Sequence, residues 1–424
     1  MNIGAILIVD AASGLDFETV TSILASRLPR VRRLRQRLLK TPIGCGRPIW
    51  VDSPDFNLDR HLAHAELSAP STPGVGSGGL SDDEQLLQVA ADLICTPLPR
   101  EQPLWAARWL TGLSDDRAAL LLVMHHALTD GVGGLAVLDA LGDGGTDPVT
   151  DAFPEAPPRL WLIIADVWRD RAGAVTQLPR RLRAARQGLR ELGIRAGRPA
   201  LAARTSLNRP TGPRRRLTTV RVPLSPLLAS AHRRGAKLND LILTAVTGAM
   251  AGLLRARGEL PGELVVSVPI SARRTATTAH LGNQTGVAPL TIPTLADHDE
   301  RLRRITAMSS ARRGAARGTS AGPMGLVFRA LGALGIFQLF IDHQRLVHTF
   351  VTNVRGPGAV VHFAGHPISS VIPVAVTPGN VGVCFDILSY ADDLVVTVVA
   401  DPDVLTEQDL LTGLLAEELG QLLL

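Results

Sequence analysis

The apolar positions of the chain fall into two periods, runs of four to nine residues that suit buried strands and longer stretches at helical spacing. The most uniform run is Ala118–Met124, seven apolar residues that predict a buried strand. It stops on His125-His126, passes Asp130 and the glycines at 131, 133 and 134, and gives way to a helix over Leu135–Leu141. A strand that ends on two imidazoles and turns through an acid and glycines presents polar groups where sites are commonly built.

Upstream, the pattern predicts a strand over Ile3–Val9, a helix over Phe17–Arg27, a basic segment Val31–Lys40 and a short strand Pro48–Val51. Ser81-Asp82-Asp83-Glu84 has the form of a capping box and starts a helix to about Cys95. Pro103-Leu104-Trp105 opens a strand through Leu110, which a turn at Ser114-Asp115-Asp116 joins as a hairpin to the strand bearing the histidines. Trp105 reads first as a core aromatic supporting that hairpin.

Downstream, prolines at 154, 157 and 158 and a run of arginines from Arg169 to Arg216 mark 151–216 as a basic helical linker. It divides a domain over 1–150 from one over 217–424. The second domain predicts strands at Leu217–Val222, Leu264–Ile270, Val287–Ile292, His348–Thr352, Ile368–Val376, Val381–Ser389 and Leu394–Ala400. Its helices are expected at Leu224–Arg234, from Lys237-Leu238-Asn239-Asp240 to Arg255, at Asp297–Ala316, at Met324–Ile341 and at Thr406–Leu422. Both halves mix strands and helices without a Rossmann alternation or a glycine fingerprint, so the fold class is α/β of the mixed, α+β kind.

Composition adds three constraints. At 424 residues with 46% hydrophobic and 20% charged positions, the chain is globular and long enough for two cores. Its net charge of +5 rests on arginine, with Lys40 and Lys237 the only lysines, and a surface of that sign attracts nucleic acid, anionic lipid or an anionic ligand such as CoA. Cys45, Cys95 and Cys384 are too scattered for a disulfide framework or a zinc spacing. The chain start lacks the basic n-region of a signal peptide, and Arg329 with the glycines of Met324–Ile341 makes that stretch a buried or interfacial helix.

A neutral imidazole takes a proton from a hydroxyl and returns it to a leaving group near neutral pH, which makes His125 and His126 candidates for general base. Adjacent histidines on a strand point to opposite faces, which argues against a shared metal.

These residues resemble the HHxxxDG motif of the CoA-dependent acyltransferase superfamily. Further landmarks are similar to those of the bacterial wax ester synthase/diacylglycerol acyltransferase family: Met1–Ala5, Phe56-Asn57-Leu58-Asp59-Arg60-His61-Leu62, Pro103-Leu104-Trp105, Asn239-Asp240, and Thr352-Asn353-Val354-Arg355-Gly356-Pro357. Two departures stand out, since a segment usual before the first strand is missing and Arg355 replaces a proline. The resemblance implies two chloramphenicol-acetyltransferase-like domains with an active-site tunnel at their interface. It implies acyl transfer from acyl-CoA, a co-substrate and not a cofactor, to a long-chain alcohol or diacylglycerol, with no covalent acyl-enzyme and no nucleic-acid partner.

His126 would be the base, His125 would pack beside it, and Asp130 before Gly131 would fix the loop by pairing with an arginine. Asn239, Asp240 and Trp105 become substrate-binding candidates. Cytoplasmic, peripheral contact with a membrane or lipid droplet is expected through the region Trp168–Arg216 or the helix Met324–Ile341. Two alternatives remain, a same-fold enzyme esterifying a polyketide or other small hydroxyl natural product, and a non-catalytic lipid- or CoA-binding protein.

Overall fold

Two six-stranded sheets and one small hairpin carry the architecture. A computed structural model of the chain describes residues 1–423 apart from 11–13, 43, 45, 47, 68–79, 147–151, 177–182, 184–200, 272–280, 283–284 and 312–334. In chain order the strands are β1 (Asn2–Val9), β2 (Gln36–Leu39), β3 (Ile49–Asp52), β4 (Leu62–Glu66), β5 (Trp105–Thr111), β6 (Ala118–His125), β7 (Arg216–Pro223), β8 (Glu263–Ser271), β9 (Thr285–Pro293), β10 (Thr349–Arg355), β11 (His362–Phe363), β12 (His366–Ala375), β13 (Val383–Tyr390) and β14 (Asp393–Ala400). The described helices are α1 (Phe17–Arg27), α2 (Asp82–Cys95), α3 (Gly131–Leu141), α4 (Leu160–Thr176), α5 (Leu224–Arg233), α6 (Leu238–Ala256), α7 (His298–Ala311), α8 (Phe337–Asp342) and α9 (Gln408–Leu423).

The first sheet runs β11-β12-β1-β6-β5-β4 and the second β7-β14-β13-β10-β8-β9. The expected β5–β6 hairpin forms, and its turn puts Asp115 and Asp116 at φ 58° and 54°, a conformation that short acids tolerate. β1 pairs with β6 over its whole length, and a Cβ on Gly4 would stand 2.3 Å from the Leu122 carbonyl, so only glycine fits there.

Each sheet buries a separate core. Leu394, Val396 and Val398 of β14 and Val383, Phe385 and Ile387 of β13 face α6, α7 and α9, every second residue as strand alternation requires. In the first sheet Leu120, Leu122 and Met124 face α1 and α3. Ala119, Leu121 and Val123 instead meet α2, whose other contacts reach Val395 and Val399 of the second sheet. Helix α2 is thus wedged where the two sheets meet, and its capping box at Ser81 and Glu84 forms as expected.

Three sequence readings change. The boundary at 217 does not separate the sheets, because β11 and β12 leave the second half and join the first sheet, β12 against β1 from Ile3–Ala375 to Val9–Ile368. Pairing at such separation leaves no local signature, so a cut by composition misses it. The helix after the histidines begins at Gly131, four residues early, because Asp130 caps it. The stretch 151–216 contains α4 and ends in the first residue of β7, while 177–182 and 184–200 lie outside the described residues. The helix expected over Met324–Ile341 likewise falls mostly on 312–334, outside them, and its far end is seen as the short α8.

Candidate active site

β6 is held at its end from both sides. The His125 amide donates to the Leu104 carbonyl at 2.9 Å and the His126 amide to the Met1 carbonyl at 2.9 Å, so the turn Ala127–Asp130 starts from a fixed point. His126 Nδ1 lies 3.0 Å from the Thr129 carbonyl oxygen. A carbonyl only accepts, so in the neutral ring Nδ1 carries the proton and Nε2 keeps its lone pair. That is the tautomer a general base needs.

His125 is wired the other way. Its Nδ1 accepts from the Ala127 amide at 3.1 Å, and its Nε2 is 3.3 Å from the Met1 amino nitrogen. Burial first, then the charges of the Met1 ammonium, His126 and Arg100, push its pKa down to about 4. Its lone pair on Nδ1 is committed to the turn, which makes it a buttress for its neighbour.

Asp130 is 2% exposed, and its Oδ1 accepts from the Gly133 amide at 2.9 Å, so it supplies an N-cap to α3. Gly131, the first residue of α3, faces β10 across the seam between the sheets, and a Cβ there would meet Val354 Cγ2 at 2.9 Å. β10 extends three residues beyond the expected Thr352, so the segment Asn353-Val354-Arg355 is strand and approaches the histidine loop. One residue before that contact, Asn353 Nδ2 donates to Asn239 Oδ1 at 3.5 Å. β10 therefore joins the loop of His126 to the first turn of α6.

Asn239 and Asp240 part company. Lys237 occupies the N-cap of α6, and Asp240 Oδ2 accepts from the Lys237 amide at 3.0 Å. With 2% exposure Asp240 is a buried cap residue and has no face toward a ligand. Asn239 lies in the first turn, half-buried, with its amide edge on the β10 side.

Trp105 is 4% exposed and sits in the core. Its Nε1 donates to the Leu34 carbonyl at 2.7 Å, and its ring stacks on His61 at 4.6 Å, which stacks in turn on Phe56 at 5.4 Å. A ring so enclosed supports the site from beneath, and the expected substrate contact through Trp105 is replaced by the core role. A cavity of about 150 Å³ lined by Ser53, Phe56, Arg60, His61, Gln102 and Pro103 lies beside this stack.

Sequence reasoning gave no role to Thr129 or Asn353. Thr129 acts through its backbone carbonyl, which side-chain patterns do not report, whereas Asn353 stood in a quoted motif and could have been paired with Asn239. Among the described residues no group of three or more His, Cys, Asp or Glu side chains is arranged to hold a metal ion. No single described helix is long and apolar enough to cross a membrane, and the α5–α6 pair, bent by 98°, owes its apolar character to the core that α6 fills.

The chain resembles known proteins in sequence and in fold. Residues 1–242 match the wax ester synthase/diacylglycerol acyltransferase catalytic domain, and residues 281–423 match the WS/DGAT C-terminal domain. The probable diacylglycerol O-acyltransferase tgs1 of Mycobacterium tuberculosis is 29% identical over 96% of this chain and 87% of its own length. In fold, the chain is similar to the wax ester synthase/diacylglycerol acyltransferase of Marinobacter aquaeolei, with a TM-score of 0.66 and 21% identity over 100% of this chain and 94% of that one. It is also similar to the starter condensation domain of rhizomide synthetase, solved with C8-CoA and Leu-SNAC, with a TM-score of 0.61 and 16% identity over 100% and 87% of the two chains.

Proposed function

The chain belongs to the wax ester synthase/diacylglycerol acyltransferase family, an O-acyltransferase family that forms wax ester or triacylglycerol, and on that premise we propose that His126 is its general base. The observation that carries the reading is the His126 Nδ1–Thr129 carbonyl bond, which leaves Nε2 unprotonated in the neutral ring. Nε2 takes the proton of the acceptor hydroxyl as its oxygen attacks the thioester carbonyl of acyl-CoA. The tetrahedral oxyanion then collapses, the C–S bond breaks, and the imidazolium returns the proton to the departing CoA thiolate. No acyl-enzyme and no cofactor enter this sequence.

Asn239 is the candidate donor to the developing oxyanion. With its Oδ1 engaged by Asn353, its Nδ2 is left to donate, and the first turn of α6 adds unpaired amides at the positive end of a helix dipole. Asp130 and Gly131 act on the position of the loop. The test is a panel of acyl-CoA donors against a long-chain alcohol, diacylglycerol and small hydroxyl compounds, read as free CoA. Turnover with the lipid acceptors is expected, and turnover with the small compounds alone would transfer the chain to natural-product esterification.

Such substrates partition into lipid, and α4 offers a surface that meets them. Trp161 and Trp168 are 61% and 63% exposed, seven residues apart and so on one face, with the Arg171 guanidinium 5.3 Å from the Trp168 ring centre. Two exposed indoles on one face, one of them with an arginine over its ring, suit the boundary between headgroups and acyl chains. The protein should float with anionic vesicles and release as salt rises, and Trp161→Ala with Trp168→Ala should abolish flotation. Flotation that survives the double change assigns the contact elsewhere.

A further inference from the structure

The segment that feeds β2 carries two guanidiniums that lack an ion pair among the described residues. Arg33 lies over the Trp50 ring at 4.8 Å and Arg35 over the Phe153 ring at 4.0 Å, and both are half-buried. Neither forms an ion pair among the described residues, and Arg35 Nε is buried with no hydrogen-bond partner. The nearest carboxylate is taken. Asp52 receives Arg32 through both oxygens at 3.2 and 2.9 Å, Gln36 at 2.8 Å and the Glu155 amide at 3.0 Å.

Withdrawing a guanidinium from water without an anion is unfavourable, and burial does pull the pKa of both arginines below the usual arginine value. Aromatic faces offset part of that cost at the guanidinium planes, and the in-plane N–H groups, Arg35 Nε among them, still lack an acceptor that an oxyanion would supply. The backbone between the two arginines is fixed to the site. The carbonyl of Leu34 accepts from Trp105 Nε1, and the preceding residue, Leu104, accepts from the His125 amide. A ligand anchored at Arg33 and Arg35 is thereby held in register with the histidine loop through the Leu104–Trp105 pair.

We propose that Arg33 and Arg35 form a phosphate-binding subsite for the nucleotide diphosphate end of the acyl donor, an inference that rests on acyl-CoA being that donor. The class of ligand follows from the forks, which match phosphate oxygens better than a lone carboxylate would, and from the need for more than one negative charge to answer two cations. A lipid headgroup carries the same phosphate chemistry and has a route to the same hairpin. Helix α4 leans on the β2–β3 loop, where Arg171 donates to the Gly44 carbonyl at 3.0 Å.

The experiment compares acyl-CoA with the matching S-acylpantetheine, which keeps the thioester and loses every phosphate, in the full chain and in Arg33→Gln, Arg35→Gln and the double variant. Each single change should raise KM for acyl-CoA about ten- to a hundredfold with little change in kcat, and leave S-acylpantetheine kinetics unaltered. Adenosine 3′,5′-bisphosphate should inhibit the parent chain competitively and lose potency in the variants. Equal losses with both donors would make the arginines props of the hairpin, and unchanged kinetics with both would remove them from donor binding. Loss of anionic-vesicle binding with acyl-CoA kinetics intact would assign them to a lipid headgroup. A parent chain that turns over neither donor fails at the acyl-CoA reading itself. Arg33→Lys and Arg35→Lys keep the charge and lose the fork, so an intermediate KM in well-folded Lys variants separates binding from misfolding.

Discussion

His126 follows the last residue of β6 and Asp386 sits in mid-β13, and each gives one of its two polar atoms to a protein partner. At His126 the partner is a backbone carbonyl at the rim of a turn, and the other ring nitrogen stays available. At Asp386 it is the Thr352 hydroxyl, 2.7 Å from Oδ1, while Oδ2 is buried with no hydrogen-bond partner, opposite Thr397, whose hydroxyl is equally unpartnered. Burial pushes the Asp386 pKa up to about 6, against which the Thr352 hydrogen bond works. A free polar atom is chemistry at the mouth of a site and a stability cost inside a seam. Accessibility separates them.

The largest effect belongs to the open site. His126→Ala should lower kcat by about 10²- to 10⁴-fold, the usual contribution of a positioned base, with a melting temperature close to that of the parent. His125→Ala should instead lower stability with rate, because the Ala127 amide loses its acceptor. If the His126 variant turns over near the parent rate, the open nitrogen is not the base and the contrast with Asp386 collapses.

Next comes the sealed site, where pH is the lever. A carboxyl raised from its ordinary 3.8 to about 6 keeps its proton in the folded chain after the unfolded chain has lost it. The folded state therefore binds more protons between those values, and stability falls as pH rises through that window, then levels off. The full drop corresponds to about 3 kcal/mol for a shift of this size. Asp386→Asn removes the titration, so above about pH 7 the variant should melt higher than the parent, and below about pH 4 the advantage should vanish. Parallel melting curves for the two proteins across that range would mean that Asp386 is already neutral or solvated.

Much of this was legible in the chain. Apolar runs located β1, β6, β12, β13 and β14, and the two histidines stood at the end of β6 as expected. Two misreadings, the domain cut that β12 crosses and the role of Trp105, depended on a partner far along the chain, whereas the start of α3 was misread locally. Glycines at 131, 133 and 134 look like a loop because glycine is a poor helix former, yet the Asp130 cap starts α3 there. Trp105 in its motif looked like a ligand contact until Leu34, 71 residues away, accepted its indole N–H. Asp386 is a single acid in an apolar run, and nothing local distinguishes it from an exposed strand residue.

The smallest effect tests the seam that joins the two regions. Gly131 begins α3 on the first half, and Val354 lies on β10, two residues beyond the Thr352 that binds Asp386. Alanine favours a helix over glycine by up to about 1 kcal/mol, so Gly131→Ala gains locally. Its Cβ would stand 2.9 Å from Val354 Cγ2, closer than carbon atoms approach, and the valine is branched and seated on a hydrogen-bonded strand. Relief must then come from the loop, which carries His126 with it. The variant should keep a melting temperature within a few degrees of the parent and lose rate by about three- to tenfold, the price of a small misplacement of the base. Val354→Ala should change the rate little alone, and the double variant should recover it, a coupling of about 1 kcal/mol between two residues in contact. If Gly131→Ala runs at full rate, the approach of β10 does not set the position of His126, and the loop takes its geometry from Asp130 and Thr129 alone.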